Sequence, residues 1–227
     1  MYRVTTQHYD MKRVLEEAVK IIDLFKDVAD ENPHATQATT RHNNGVKLIS
    51  LQSVSGENWQ EINHFSGGDV TERIKFIKQM MWSKDNCVIN KGIDPEGEIY
   101  RFISTNKLTR ARLIALDPME CYYMHDDRHE YGRATADAEE RPFLRMHLPV
   151  ITHKWCYHVE DFRLRHMPAD GYPWVVNTSK IHSAMNATRP GWRIRRWHIV
   201  GDYLDRSRSV DNPEVLAGAY NSIGDLP

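Results

Sequence analysis

Beyond residue 105 the chain is a succession of short segments rich in β-branched, aromatic or alternating residues, and this pattern limits the fold more than any other feature. The segments run over 110–116, 120–125, 144–151, 155–159, 172–177 and 193–204. Asp117-Pro118 and Ala169-Asp170-Gly171 supply turns between them. Several short strands at this spacing predict a β-sandwich or β-barrel.

The first half of the chain has a different pattern, with apolar residues at helical spacing. One amphipathic helix is predicted within residues 10–29 and a second from about Val70 to Ser83. The apolar stripe of the first helix consists of Val14, Ala18, Ile21, Ile22, Phe25 and Val28. Both stripes are expected to pack into the core. We therefore expect residues 1–105 to form a mixed α/β extension, residues 106–206 a β core and residues 207–227 a tail.

Size and composition are those of one globular domain. The chain has 227 residues, of which 41% are hydrophobic and 27% charged, and its formal net charge is -1. This balance excludes a largely disordered chain and gives no support to nucleic-acid or membrane-surface binding. The sequence leaves the oligomeric state open.

The expected location is the cytoplasm. The sequence contains no run of eighteen apolar residues, and its first residues lack the apolar run of a signal peptide. Cys87, Cys121 and Cys156 are odd in number and scattered, which argues against a disulfide framework or a thiolate zinc site.

Two histidines and a carboxylate form the first candidate site. His125-Asp126-Asp127 precedes His182 by fifty-seven positions (182 minus 125). In an extended strand residues i and i+2 share a face, so His125 and Asp127 can turn toward one metal while Asp126 points away. Two imidazoles and one carboxylate suit a facial iron(II) site, which leaves positions for other ligands.

A rival triplet, His158-Val159-Glu160, also precedes His182. Triplets of this kind arise easily by chance in a chain with 12 histidines and 31 acidic residues. On the pattern alone, both triplets remain candidates.

Two later segments each place an arginine and a histidine on one strand face. Arg145 shares a face with His147, and Arg196 shares a face with His198. These side chains point either into the barrel or into solvent. If they point inward, they favour a dicarboxylic acid as ligand, because a guanidinium binds a carboxylate through two parallel hydrogen bonds.

Taken together, four motifs resemble the aspartyl/asparaginyl β-hydroxylase family of iron(II)- and 2-oxoglutarate-dependent oxygenases. The motifs are His125-x-Asp127, Arg145-Met146-His147-Leu148-Pro149, Asn177-Thr178-Ser179-x-x-His182-x-x-x-Asn186 and Arg196-x-His198-x-Val200-x-Asp202. The resemblance covers roughly residues 110–204 and leaves the N-terminal half unexplained.

The resemblance implies a mainly β fold, a double-stranded β-helix or jelly roll of the cupin type, with the N-terminal α/β extension packed on it. It implies that His125, Asp127 and His182 bind iron(II). It further implies that Arg145, His147, Arg196 and His198 contact the co-substrate 2-oxoglutarate or the substrate, with Arg196 pairing with the distal carboxylate. The implied reaction consumes O2 and hydroxylates a C–H bond of an amino acid, free or peptidyl, with release of succinate and CO2.

Some assignments stay open within this resemblance. Arg195 is a rival to Arg196, since a one-residue bulge would exchange them, although counting back six from Asp202 favours Arg196. His158 follows the R-x-H strand instead of preceding it, so His158 and Glu160 are expected to be surface or packing residues. Residues 126–142 are expected to form a loop that closes over the substrate. Asn177, Ser179 and Asn186 are expected either to orient ligand rings or to act as cap and turn residues.

Two other classes of protein remain as alternatives. One is a cupin-like metalloenzyme that does not use 2-oxoglutarate, and the other is a non-catalytic β-sandwich binding module. A cupin-like metalloenzyme of this kind gives Arg145, His147 and Arg196 no function. A binding module leaves the spacing of the motifs unexplained.

Overall fold

The computed structural model describes residues 1–25, 46–59, 87–122, 124–126 and 144–203. Its helices are α1 (Met11–Leu24) and α2 (Glu98–Thr105). Its strands are β1 (Tyr2–Arg3), β2 (Val46–Ser50), β3 (Gln52–Ser53), β4 (Val88–Ile89), β5 (Thr109–Leu116), β6 (Glu120–Cys121), β7 (Leu144–Ile151), β8 (Cys156–Glu160), β9 (Arg163–Arg165), β10 (Trp174–Asn177), β11 (His182–Asn186) and β12 (Arg196–Tyr203).

The strands from β5 to β12 form a jelly roll. The major sheet has the order β1-β10-β7-β12-β5-β2, and the minor sheet has the order β6-β11-β8-β9. Strands β5 to β8 therefore alternate between the two sheets, and β9 to β12 complete them in the crossing order of a double-stranded β-helix. All pairings between the described strands are antiparallel. The prediction of a mainly β, double-stranded β-helix is confirmed.

Helices α1 and α2 cover the outer face of the major sheet. Asp10 caps α1 by accepting a hydrogen bond from the Lys12 backbone N–H (3.0 Å). Val14, Ala18 and Ile21 are buried along the inner side of α1, as the apolar stripe predicts. They join one core with residues of α2 and of strands β5, β7, β10 and β12. The extension thus packs on the jelly roll.

The alternation along β7 and β12 decides which side chains enter the barrel. Met146, Leu148, Trp197 and Ile199 belong to the outer core beneath the helices. The side chains that alternate with them, beginning with Arg145 and Arg196, consequently point between the two sheets. The inward orientation is the correct one of the two predicted possibilities.

Asn186 ties the two sheets together. This residue of β11 is fully buried, and its Nδ2 donates to the backbone oxygens of Leu116 (3.0 Å) and Ile194 (2.8 Å). These bonds hold the minor sheet against the ends of β5 and β12. Asn177 acts as a turn residue, since its Oδ1 accepts from the Ser179 backbone N–H (3.0 Å).

Several expectations fall outside the described residues. They include the helix from about Val70 to Ser83, the end of the helix predicted within 10–29, most of the loop at 126–142 and the C-terminal tail at 207–227. The organisation of residues 1–227 as one domain remains a prediction. Within the described part of the chain, no helix is long and apolar enough to cross a membrane.

Candidate functional site

His125 and His182 meet although fifty-seven positions separate them. The two residues form an isolated antiparallel bridge, in which the His182 N–H donates to the His125 oxygen (2.8 Å) and the His125 N–H donates to the His182 oxygen (3.1 Å). Their ring centroids are 4.3 Å apart. Backbone pairing therefore sets the two imidazoles side by side at the edge of the minor sheet.

The His182 ring is fixed by its own turn. Its Nδ1 lies 2.9 Å from the Lys180 backbone oxygen, and a carbonyl oxygen only accepts hydrogen bonds. Nδ1 consequently carries the proton and Nε2 carries the lone pair, which is the tautomer that metal-binding histidines adopt when a carbonyl orients them.

Asp127, the predicted carboxylate ligand, lies outside the described residues. Among the residues that the structure describes, no group of three or more His, Cys, Asp or Glu side chains is arranged to hold a metal ion. The structure thus brings two of the three predicted ligands together, and the complete ligand set remains a prediction.

The barrel interior next to His182 is lined by further basic side chains. His147, Arg196 and His198 are buried, with exposed fractions of 6%, 3% and 0%. A terminal guanidinium nitrogen of Arg196 lies 3.2 Å from His198 Nδ1. Because a guanidinium only donates, Nδ1 of His198 accepts this hydrogen bond, and Nε2 of the neutral ring carries the proton. The His147 ring lies 5.8 Å from the His198 ring. Three of the residues predicted to bind the co-substrate therefore meet.

Burial keeps the histidines neutral while Arg196 stays charged. Desolvation lowers the pKa of His147 and of His198 well below the ordinary value, and the nearby Arg196 lowers both further. Desolvation also lowers the pKa of Arg196, to about 10, which leaves its guanidinium protonated at neutral pH. This part of the interior thus combines the Arg196 cation with neutral imidazoles.

Arg195 points away from this interior. Its Nε donates to Asp117 Oδ1, and its side chain is 36% exposed. Arg196 is the inward residue, paired in register with Leu116 of β5. The register shift in the β12–β7 pairing falls between Trp197 and His198, and it leaves Arg196 inside the barrel.

Arg145 belongs to a second buried cluster, organised around Asp202. Its Nε donates to Asp202 Oδ1 at 2.8 Å, Arg110 Nε lies 3.3 Å from Oδ2, and an Arg112 nitrogen lies 4.0 Å from Oδ1. Desolvation raises the pKa of Asp202, but the three arginines outweigh it and the pKa is lowered. Arg110 and Arg112 were not among the predicted site residues, although Arg-x-Arg in strand β5 places both on one face.

His158 and Glu160 were expected to be surface or packing residues, and the structure places both in the interior. They are 3% and 7% exposed. The alternation in β8 turns His158 into the barrel, and the pairing of β8 with β11 sets it opposite Ala184, two residues from His182. Sequence separation had suggested distance, but strand pairing brings the residues close. Glu160 accepts from the Asn177 backbone N–H (2.8 Å) and pairs with the Met1 ammonium.

Comparisons with known proteins return only distant structural likenesses. No family model and no curated protein matches the chain. Among solved structures it is similar to a prolyl-4-hydroxylase from Pseudomonas putida, at 13% identity and a TM-score of 0.40 over 88% of this chain and 90% of that one. An oxidoreductase of the 2OG-Fe(II) oxygenase family from Burkholderia pseudomallei aligns at 15% identity and a TM-score of 0.33 over 69% and 65%.

A cupin domain from Schizosaccharomyces pombe aligns at 11% identity and a TM-score of 0.30, over 52% of this chain and 64% of that one. Likenesses this low carry no argument about chemistry. The class defined by the fold is the double-stranded β-helix, and a function has to be argued from the residues inside it.

Proposed function

We propose that this protein is an iron(II)- and 2-oxoglutarate-dependent oxygenase that hydroxylates a C–H bond of an amino acid, free or peptidyl. The observation that carries the proposal is the buried, charged guanidinium of Arg196 inside the barrel that also contains the His125–His182 pair. A charged group buried this deeply is costly unless an anion meets it. A dicarboxylate that reaches from a metal to Arg196 supplies that anion.

His125 and His182, together with Asp127, are the residues that hold the iron. Two neutral imidazoles and one carboxylate match the donor preference of iron(II). The hydrogen bond from His182 Nδ1–H to the Lys180 oxygen orients the ring and leaves the lone pair of the neutral imidazole on Nε2. When bound, the iron supplies the activation of O2 that couples conversion of 2-oxoglutarate to succinate and CO2 with hydroxylation of the substrate.

Arg196, His147 and His198 receive the co-substrate. Arg196 pairs with the distal carboxylate, and its own hydrogen bond with His198 Nδ1 orients His198 Nε2–H as a second donor. The neutral state of both histidines lets them donate without adding charge. The protein's contribution is to orient the co-substrate and to keep water from the interior.

Arg145 binds a carboxylate of the amino-acid substrate in this proposal. Asp202 holds its Nε, which fixes the guanidinium plane. Arg145 still lies close enough to His147 to lower the pKa of that histidine. An arginine held in this way recognises a planar carboxylate with little loss of side-chain freedom.

Metal-dependent binding tests the proposal. Titration of 2-oxoglutarate into protein loaded with Mn²⁺ should give saturable binding, and the same titration after removal of the metal should give much weaker binding. Binding that is identical with and without metal contradicts the proposal. A screen of amino acids and short peptides for substrate-stimulated succinate formation then identifies the substrate.

A second candidate is a cupin-like metalloenzyme that does not use 2-oxoglutarate. It is favoured by the position of His158, whose ring is 6.2 Å from that of His182, because additional imidazoles near a metal are typical of such sites. This candidate leaves Arg196 without a ligand. It predicts metal binding in the titration above and no metal-dependent binding of 2-oxoglutarate.

We also propose a reducing compartment, the cytoplasm, as the location. Cys87, Cys121 and Cys156 all lie among the described residues, and none of them forms a disulfide bond. Free thiols and a ferrous ion are both maintained best under reducing conditions.

A further inference from the structure

His158 is a buried polar residue for which the described fold provides no partner. Its side chain is 3% exposed, and neither ring nitrogen has a hydrogen-bond partner among the described residues. A buried donor or acceptor without a partner is unfavourable, and an apolar side chain of similar volume fills the same space without that cost. The hydrogen-bonding capacity of the imidazole is therefore available to a bound ligand.

The position of His158 indicates which ligand. Its ring is 6.2 Å from the His182 ring and nearly parallel to it, and 5.2 Å from the His147 ring. The 5.2 Å separation between the His158 and His147 ring centroids is that of an edge-to-face contact, so the two walls of the barrel meet at this pair. His158 lies in the minor sheet, whereas His147, Arg196 and His198 lie in the major sheet. Both His182 and Arg196 lie close enough to His158 to lower its pKa, so a molecule that extends from His182 toward Arg196 passes beside His158.

A neutral His158 ring suits an anion whose charge is already paired with the guanidinium of Arg196. Desolvation lowers the pKa of His158 well below its ordinary value, and Arg196 and His182 lower it further. The neutral ring keeps one N–H donor and adds no second cation beside Arg196. No group of three metal-ligating side chains that includes His158 occurs within the described ranges.

We propose that His158 is a further co-substrate-binding residue, which donates a hydrogen bond from the minor sheet to an oxygen of the bound 2-oxo dicarboxylate. This inference rests on the proposed function and deepens it, because it closes the co-substrate between both walls of the barrel.

The test compares two substitutions with one control in the Mn²⁺-loaded full chain. His158→Leu should raise the Kd for 2-oxoglutarate about tenfold, and His158→Gln, which keeps an N–H donor, should raise it less. The Kd for Mn²⁺ should stay within about twofold of the wild-type value in both. His153→Leu, on the connection before β8, is the control and should leave both constants unchanged. Circular dichroism verifies the fold, and His158→Gln serves alone if His158→Leu does not fold.

The outcomes separate the two proposals. If the wild-type protein shows no metal-dependent binding of 2-oxoglutarate, the proposed function fails and this inference fails with it. If the wild type binds and the His158 variants bind equally well, only the inference is overturned. Loss of Mn²⁺ binding in the His158 variants also overturns it, because His158 is then a metal ligand.

Discussion

A guanidinium nitrogen of Arg196 lies 3.2 Å from Nδ1 of His198, and both side chains are buried inside the barrel. This contact joins two residues that stand two positions apart on β12 and therefore share a face. It holds the arginine charge in the interior and sets the tautomer of the histidine. The proposed binding of a dicarboxylate in the barrel rests on this pair.

Arg196 and Arg195 are adjacent in sequence but should contribute very differently to co-substrate binding. Arg196→Gln should weaken binding of 2-oxoglutarate by roughly 30- to 150-fold, equivalent to about 2–3 kcal/mol, because a buried charge-assisted hydrogen bond is lost. Arg195→Gln should change binding less than threefold, since Arg195 pairs with Asp117 at the surface. Equilibrium titration measures both constants, and equal effects or the reverse order would refute the register of β12.

Asp202 should be important for stability because it is the shared partner of three arginines. Asp202→Asn leaves Arg110, Arg112 and Arg145 without this carboxylate. Removal of one partner from a buried ion pair costs about 3–5 kcal/mol of the free energy of unfolding. Urea denaturation at neutral pH measures the loss.

Asp117→Asn is the matched control for Asp202→Asn. It breaks a half-exposed ion pair with Arg195, and such pairs contribute less than about 1 kcal/mol. Losses of equal size in the two variants contradict the central position assigned to Asp202.

The stability of the protein should fall as the pH decreases below about 6.5, where free histidine titrates. The pKa values of His147, His158 and His198 are well below the ordinary value in the folded protein. Below pH 6.5 the unfolded chain therefore takes up protons that the folded protein does not. Each histidine then lowers the free energy of unfolding by up to about 1.4 kcal/mol for each pH unit of acidification.

Denaturation of chelator-treated protein between pH 7.5 and 5 measures this dependence. The slope of the unfolding free energy against pH gives the number of protons taken up on unfolding. His198→Gln should reduce this number by up to one, and His153→Gln should not change it. A free energy of unfolding that is flat over this range contradicts the burial of these imidazoles in neutral form.

Strand alternation made most of the barrel predictable from sequence. The segment predicted at 144–151 coincides with β7 (Leu144–Ile151), and the i, i+2 rule placed Arg145 with His147 and Arg196 with His198 on shared faces. The rule does not tell which face is inner. That was decided by Trp197 and Ile199, which pack beneath the helices.

Other elements lacked a sequence signal. Strand β9 (Arg163–Arg165) has three largely exposed residues, which are too few for an alternating pattern to predict a strand. Strand β11 (His182–Asn186) consists of residues without strong strand preference, and its pairing with β8 and β6 creates it. The position of His158 depends on that pairing, which is why separation along the chain misled the sequence analysis.

The most direct test of the central claim is the visible spectrum of the anaerobic protein with iron(II) and 2-oxoglutarate. We expect a weak metal-to-ligand charge-transfer band that requires the protein, iron(II) and 2-oxoglutarate together. The band should be lost in His182→Ala and should persist in the control His153→Ala. Absence of the band in well-folded wild-type protein, or its persistence in His182→Ala, would contradict the assignment of this barrel as an iron(II)- and 2-oxoglutarate-dependent oxygenase.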